Sequence, residues 1–439
     1  MRTYYSLYGR LLSKRVLYEA FRHVKRNQGA AGIDGQSLSA FEADLEAELS
    51  CLLLELKEKR YQAQPVRRVV IAKDDGGERL LGIPTVRDRV VQQALRSILE
   101  PIFDPGFHPS SYGYRPGRSG HHAIGKAELY IRRYRRAWVV DMDLSKCFDT
   151  LDHDLIIRQF RQRVTDGSVL SLLRQFLESG VMVGCRYEET GLGSPQGGVI
   201  SPLIANVYLD AFDQFMKRRG HRIVRYADDI LVLCTSRAGA ENALRVARGY
   251  LEEELKLTVN AVKTHLVHSD AGVKFLGVVI HSGYTRIQDT KLQKLKQKVK
   301  VLTRRNRGVG LKEIIRELNP VLRGFANYFR VANCARVLKQ VMSWLRRRLR
   351  CIQLKQWKKP GRLHRRLKQL GYRPPFQYIR MQSWRNAASP LAHLAISNRW
   401  LHDELRLVDL TKVKTGITVP EIRGSCLQEP YTRPVRTVL

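Results

Sequence analysis

RIVRYADDILVLC, residues 222–234, decides how this chain is read. Two apolar runs flank adjacent acids, Asp228 and Asp229, a pattern that predicts a strand pair interrupted at its tip. Buried carboxylates are unfavourable unless a cation or metal answers them. A tight hairpin presenting two of them suits Mg2+, a hard cation that takes carboxylate oxygens and keeps its other positions for phosphates. Alone the string is weak, because Asp-containing turns between strands are common.

A second stretch strengthens it. In WVVDMDLSKCFDTLDHD, residues 138–154, an apolar strand again ends in acids. Alternation puts Asp141 and Asp143 on one face of that strand and Met142 on the other. Two acid-bearing strand ends side by side in a sheet would clamp two Mg2+ ions, with Mn2+ as the alternative, in the arrangement that serves phosphoryl transfer.

The chain around these stretches has 439 residues, enough for two or three lobes with real cores. Lys and Arg total 77 against 41 Asp and Glu, and the net charge of +36 points to a polyanionic partner such as nucleic acid. The seven cysteines lie far apart without C-x-x-C pairs, so neither a zinc site nor a disulfide frame is expected. No apolar run is long enough for a signal peptide core or a membrane span, and a cytoplasmic protein with no membrane partner is the expectation.

Helical periodicity marks residues 1 to about 65, best in FEADLEAELSCLLLELKEKRY. A strand from Pro65 to Ala72, the turn DDGGE and the run LLGIPT read as a hairpin, followed by a helix over 88–101. VKFLGVVI, 273–280, reads as a further strand after a helix that contains GAENALRVARGYLEEELK. Helices and strands mix without regular alternation, which predicts an α+β lobe around an antiparallel sheet. Composition then changes: Lys291 to Leu370 holds 25 Lys or Arg and two acids, Glu313 and Glu317, yet keeps helical spacing. A solvated face would intersperse acids, so a helical lobe with one face on phosphates is expected. Tyr328, Phe329, Trp344 and Trp357 within it read as core more readily than as base-stacking residues.

The blocks AKDDGGERLLGIPTVRDRVVQQA, SYGYRPGRSGHHAI, DMDLSKCFDTLDHD, GLGSPQGGVISPLIANVYLD, RYADD, LTVNAVKTHL and KFLGVVI, in this order, resemble those of group II intron reverse transcriptases and maturases. The likeness extends to AGIDG upstream and to LNPVLRGFANYF and LKQWK downstream. It implies a right-hand polymerase: an N-terminal helical extension over 1–60, fingers and palm over 61–288, a helical thumb or maturase domain over 289–371 and a DNA-binding-like region over 372–439. Many relatives carry an endonuclease domain with paired cysteines and histidines. Only Cys426 lies beyond Cys351, so a compact lineage of the group IIC kind is expected, with DNA cleavage left to the intron RNA or the host.

Carried over residue by residue, the resemblance puts metal-binding acids at Asp143, Asp228 and Asp229, with the Leu144 carbonyl as a backbone ligand; Asp141 precedes the family's position. Phe148 takes the place of the aromatic that crowds the sugar 2′ position. Lys73 and Arg79, on either side of the DDGGE turn, match cations that hold the incoming triphosphate. Gln196 matches the residue under the incoming base pair, with Gly197 and Gly198 letting backbone approach the template. Lys263 matches a proton donor beside the leaving pyrophosphate, and Arg115 either contacts template phosphate or braces the fingers. The implied partners are group II intron RNA, an RNA template with a DNA or RNA primer, target DNA and dNTPs. The implied activities are RNA-directed DNA synthesis and RNA binding that assists splicing. The alternatives are a domesticated reverse transcriptase in phage defence, CRISPR spacer acquisition or DNA repair, and a maturase acting only by binding RNA.

Overall fold

The computed structural model describes residues 3–72, 77–184 and 186–417. The chain packs as two units, one running to Val273 and the other beginning at Lys274.

In the first unit, helices Lys14–Asn27 and Val86–Phe103 pack on each other. The second starts where Thr85 accepts the Asp88 N–H at 3.1 Å. Its buried residues Val86, Val90, Val91, Ala94, Leu95 and Leu99 follow helical spacing. Such side chains contribute roughly 1.5–3 kcal/mol each on burial. The expected hairpin is present as β1 (Val66–Ala72) and β2 (Glu78–Ile83), paired antiparallel with Ile71 opposite Arg79.

β3 is Trp138–Met142, and β4 (Val181–Val183) and β5 (Arg186–Glu188) extend the first sheet in the order β2-β1-β4-β5. β6 (Arg222–Tyr226) and β7 (Asp229–Cys234) form the strand pair at the decisive stretch, and β8 is His265–His268. These make a second sheet, β6-β7-β3-β8, antiparallel throughout. Ile230 to Leu233 of β7 are fully buried, as its continuous apolar run requires. Helix Ser201–Arg218, opened by Pro202, packs against β6.

One strand differs from expectation. VKFLGVVI breaks into β9 (Val273–Phe275) and β10 (Val278–Ile280), because Leu276 and Gly277 both turn through positive φ, 45° and 82°. With β11 (Thr285–Ile287) they build a separate sheet, β11-β10-β9, and the neighbour of β3 is instead β8.

The second unit is helical beyond that sheet: Asp289–Leu302, Leu311–Phe329, Ala335–Trp357 and Pro360–Gln369. Phe329 is buried, while Tyr328, Trp344 and Trp357 are half-buried, and the Tyr328 hydroxyl donates to the Leu276 carbonyl at 2.9 Å. The amphipathic stretch SPLAHLAISNRWLHDELRLVDL, 389–410, is interrupted. It breaks into Pro390–Ala395, a π-turn at Trp400–Glu404 and a 3-10 turn at Leu410–Lys412. Arg350 explains the break: it reaches across from the long helix to the Ile396 carbonyl at 2.9 Å and the Asn398 side chain at 2.7 Å. Among the described residues no helix is long and apolar enough to cross a membrane.

Candidate active site

β6 and β7 pair up to Tyr226 opposite Asp229, so Ala227 and Asp228 form a two-residue turn. Ala227 sits at φ 57°, a left-handed conformation that a side chain bearing Cβ adopts only when its surroundings hold it. Two contacts do so. Arg225 donates from Nη1 to the Ala227 carbonyl at 3.0 Å. The Arg225 guanidinium is fixed by Asp213, donating from Nη2 to Oδ2 at 2.6 Å, and by Asn206 Oδ1 at 3.1 Å. Gly113 lies so close that a Cβ there would stand 2.3 Å from the Ala227 nitrogen.

The segment carrying Gly113 is tied to β6 by its backbone: Arg225 N–H donates to Ser110 O and Tyr112 N–H to Arg225 O, both at 2.9 Å. Asn206 Nδ2 donates to the Gly113 carbonyl at 2.9 Å. Nothing in the helical pattern flags Asn206 or Asp213. For Arg225, a charge at a buried strand position, one residue before the tyrosine of the turn, was the available signal.

β3 brings the other acids. Met142 is buried while Asp141 and Asp143 are half-exposed, as alternation requires. Asp143 holds the loop after β7's following helix: Asn260 N–H donates to its carbonyl at 2.9 Å, and Asn260 Nδ2 approaches Oδ2 at 3.4 Å. The Asn260 side chain in turn accepts from Val262 and Lys263 N–H at 3.1 and 3.2 Å, an Asx-type turn that sets Lys263. Lys263 Nζ stands 3.8 Å from Asp143 Oδ2. Asn260 is thus a further residue that motif reading passed over.

The acids act on one another. Burial, and then the charge of Asp143, raise the Asp228 carboxyl above the ordinary range, while Arg79 and Arg225 pull it down. Asp229 is exposed. Partial loss of water, then Asp228, Asp141 and Asp143, push it up to about 7, against Lys263. Since its surface is accessible, repulsion among the acids is the part of this shift that matters physically. Among the described residues no three or more His, Cys, Asp or Glu are gathered at metal-holding distance. The donors are nevertheless all hard oxygens whose repulsion a divalent cation would relieve, so the residue set fits such an ion.

Around them, Phe148 is half-buried and its carbonyl accepts Ser194 N–H at 2.7 Å. Leu144 is buried and bridges Val259. Arg79 is exposed on the hairpin. Lys73 lies outside the described residues. Gln196 is half-buried and its carbonyl accepts Gly82 N–H at 2.8 Å.

Gly197, Gly198 and Arg115 each meet partners within the chain. At Gly197, φ 124°, the space a Cβ would fill holds the Gly82 carbonyl, 2.6 Å away, and at Gly198 it holds Ser201 Oγ, 2.5 Å away; both glycines serve packing of the chain on itself. Arg115, with a side chain only 4% exposed, donates to Asp104 Oδ1 at 2.6 Å, to the Asp104 carbonyl at 2.7 Å and to the His108 and Ser111 carbonyls at 3.0 Å. These are the bonds of a brace rather than of a phosphate contact.

Comparison with known proteins identifies the sheet and its turn as part of a reverse transcriptase fold. The reverse transcriptase (RNA-dependent DNA polymerase) family matches residues 71–280, and the group II intron maturase-specific domain matches 292–371. This chain belongs to the group II intron reverse transcriptase/maturase family. Protein YkfC of Escherichia coli (strain K12) is 37% identical over 60% of this chain and 79% of its own length. The group II intron-encoded protein LtrA of Lactococcus lactis subsp. cremoris is 29% identical over 62% of this chain, which spans 56% of LtrA. Among solved structures, apo telomerase from Candida tropicalis aligns with a TM-score of 0.41 at 13% identity, over 53% of this chain and 58% of that one.

Proposed function

We propose that this reverse transcriptase copies group II intron RNA into DNA from a DNA or RNA primer and, as a maturase, binds that RNA to support splicing and mobility at a DNA target. The observation that carries the polymerase reading is geometric: Asp143 follows β3, Asp228 and Asp229 stand at the β6–β7 turn, and β3 and β7 are neighbours in one antiparallel sheet. Two Mg2+ ions, when bound, would favour the 3′-alkoxide of the primer and offset triphosphate charge.

Asp143, Asp228 and Asp229, with the Leu144 carbonyl, would hold those ions. The hairpin cations Lys73 and Arg79 would bind the triphosphate of the dNTP. Gln196 would lie under the incoming base pair, and Phe148 would fill the space of a 2′-hydroxyl. Lys263, beside Asp143, would give a proton to the leaving pyrophosphate. The basic surface between Lys291 and Leu370 would take intron RNA, and the region after Tyr372 would meet target DNA.

The test separates the two activities. Asp228→Ala is expected to abolish primer extension on an RNA template while leaving intron-RNA affinity and assisted splicing largely intact. Equal loss of both would sink this division of labour, and wild-type protein unable to extend a primer with Mg2+ and dNTPs would sink the polymerase reading.

A further inference from the structure

Tyr114 is anomalous. Its backbone sits at φ 58°, a left-handed conformation costing a non-glycine residue roughly 1–2 kcal/mol. Its neighbours pay out no slack: Ser110 and Tyr112 are bonded to Arg225, the Gly113 carbonyl to Asn206, and Arg115 to Asp104, His108 and Ser111. Strain held so firmly is expected where the side chain has work to do. That side chain is not a core residue, for it is 48% exposed.

Its surroundings say what the work is. The Tyr114 ring stands edge-on to Phe148, with centroids 6.4 Å apart and planes at 78°, an attractive aromatic geometry. Crowding by the protein, followed by the charges of Asp228 and Tyr226 and opposed by Arg79, pushes its hydroxyl up to about 12. Tyr114 therefore links the turn, through its neighbour Gly113 packed against Ala227, to the half-buried ring of Phe148.

We propose that Tyr114 is a positioning residue for sugar selection: its ring fixes that of Phe148 where a ribonucleotide 2′-hydroxyl would have to sit. The inference rests on Phe148 acting as the sugar-crowding aromatic. Phe148 supplies the exclusion, and the interlock of Gly113 with the Ala227 turn ties the placement of Tyr114 to that of the metal-binding acid.

The experiment compares kcat/KM for a dNTP and the matching rNTP on one RNA template and DNA primer, for wild type, Tyr114→Ala, Tyr114→Phe, Phe148→Ala and the Tyr114→Ala/Phe148→Ala double variant. Melting temperature checks folding, and Tyr114→Leu replaces the alanine variant if that one unfolds. Tyr114→Ala is expected to lose roughly 10-fold in dNTP over rNTP preference, with Tyr114→Phe restoring the ratio. The double variant is expected to be no less selective than Phe148→Ala alone, since the two act as a unit. An unchanged ratio in active Tyr114→Ala overturns the proposal, as does additive loss in the double variant or inactivity of every folded Tyr114 variant. An unchanged ratio in Phe148→Ala overturns the gate reading instead, and failure of wild type to use dNTPs overturns the polymerase reading.

Discussion

Arg225 and Asp213 form an ion pair in which both side chains are 0% exposed, closed by an Nη2–Oδ2 contact of 2.6 Å. The pair supports the β6–β7 turn, since the same guanidinium holds the Ala227 carbonyl. Removing one partner of such a pair leaves an uncompensated buried charge. Arg225→Met is thus expected to destabilise the protein by about 3–5 kcal/mol in urea unfolding. Adding Asp213→Leu should recover much of that stability but not primer extension, because the turn still lacks its holder. Recovery of extension in the double variant would show that the pair serves stability alone.

Gly113 makes a second, steric prediction. In Gly113→Ala the new methyl would sit 2.3 Å from the Ala227 nitrogen, against backbone that has no freedom to yield. Overpacking of this kind costs about 1–3 kcal/mol. A fall in melting temperature should accompany a larger fall in extension rate, since the displaced group is the turn itself. Wild-type stability in this variant would mean that the two backbones separate easily.

Arg115 distinguishes bracing from template contact. Losing its charged hydrogen bonds in Arg115→Ala should lower stability by about 2–3 kcal/mol. The dependence of template affinity on salt should stay as in wild type, whereas a lost phosphate contact would reduce the slope of log K against log salt by roughly 0.7–0.9. Fluorescence anisotropy across a salt series decides between them.

Asp210 predicts a pH effect away from the acids of the turn. Burial, and then the neighbouring Asp213 charge, raise its carboxyl to about 6 from 3.8, although it accepts the His108 N–H at 2.9 Å. The folded state therefore binds more protons than the unfolded state between those values. Its contribution to stability is present at low pH and is lost as pH rises through about 4 to 6. Asp210→Asn keeps an acceptor for His108 and should gain on the order of 1–3 kcal/mol relative to wild type between pH 4.5 and pH 7. Urea midpoints at both pH values measure it, and an equal difference at each would refute it.

Much of this architecture was legible locally. The β1–β2 hairpin announced itself through its turn, the helix over 88–101 through its spacing, and the β6–β7 hairpin through two apolar runs around Asp228 and Asp229. Other features were not. Leu276 and Gly277 look like the middle of a strand until positive φ breaks it, and the segment after Ser389 looks amphipathic until Arg350 takes its carbonyl.

The sequence by itself determined the β1–β2 and β6–β7 hairpins, where acids end two of the strands, and that the stretch from Lys291 to Leu370 is basic, because spacing and composition act over a few neighbouring residues. Only the tertiary structure decided that β8 completes the sheet, that Arg115 is a brace, that Gly113 and Asn206 support the turn, and that Asp213 answers Arg225. Those outcomes depend on which groups lose water together and how closely two backbones approach. Residues distant in the chain settle both, and no local pattern encodes them.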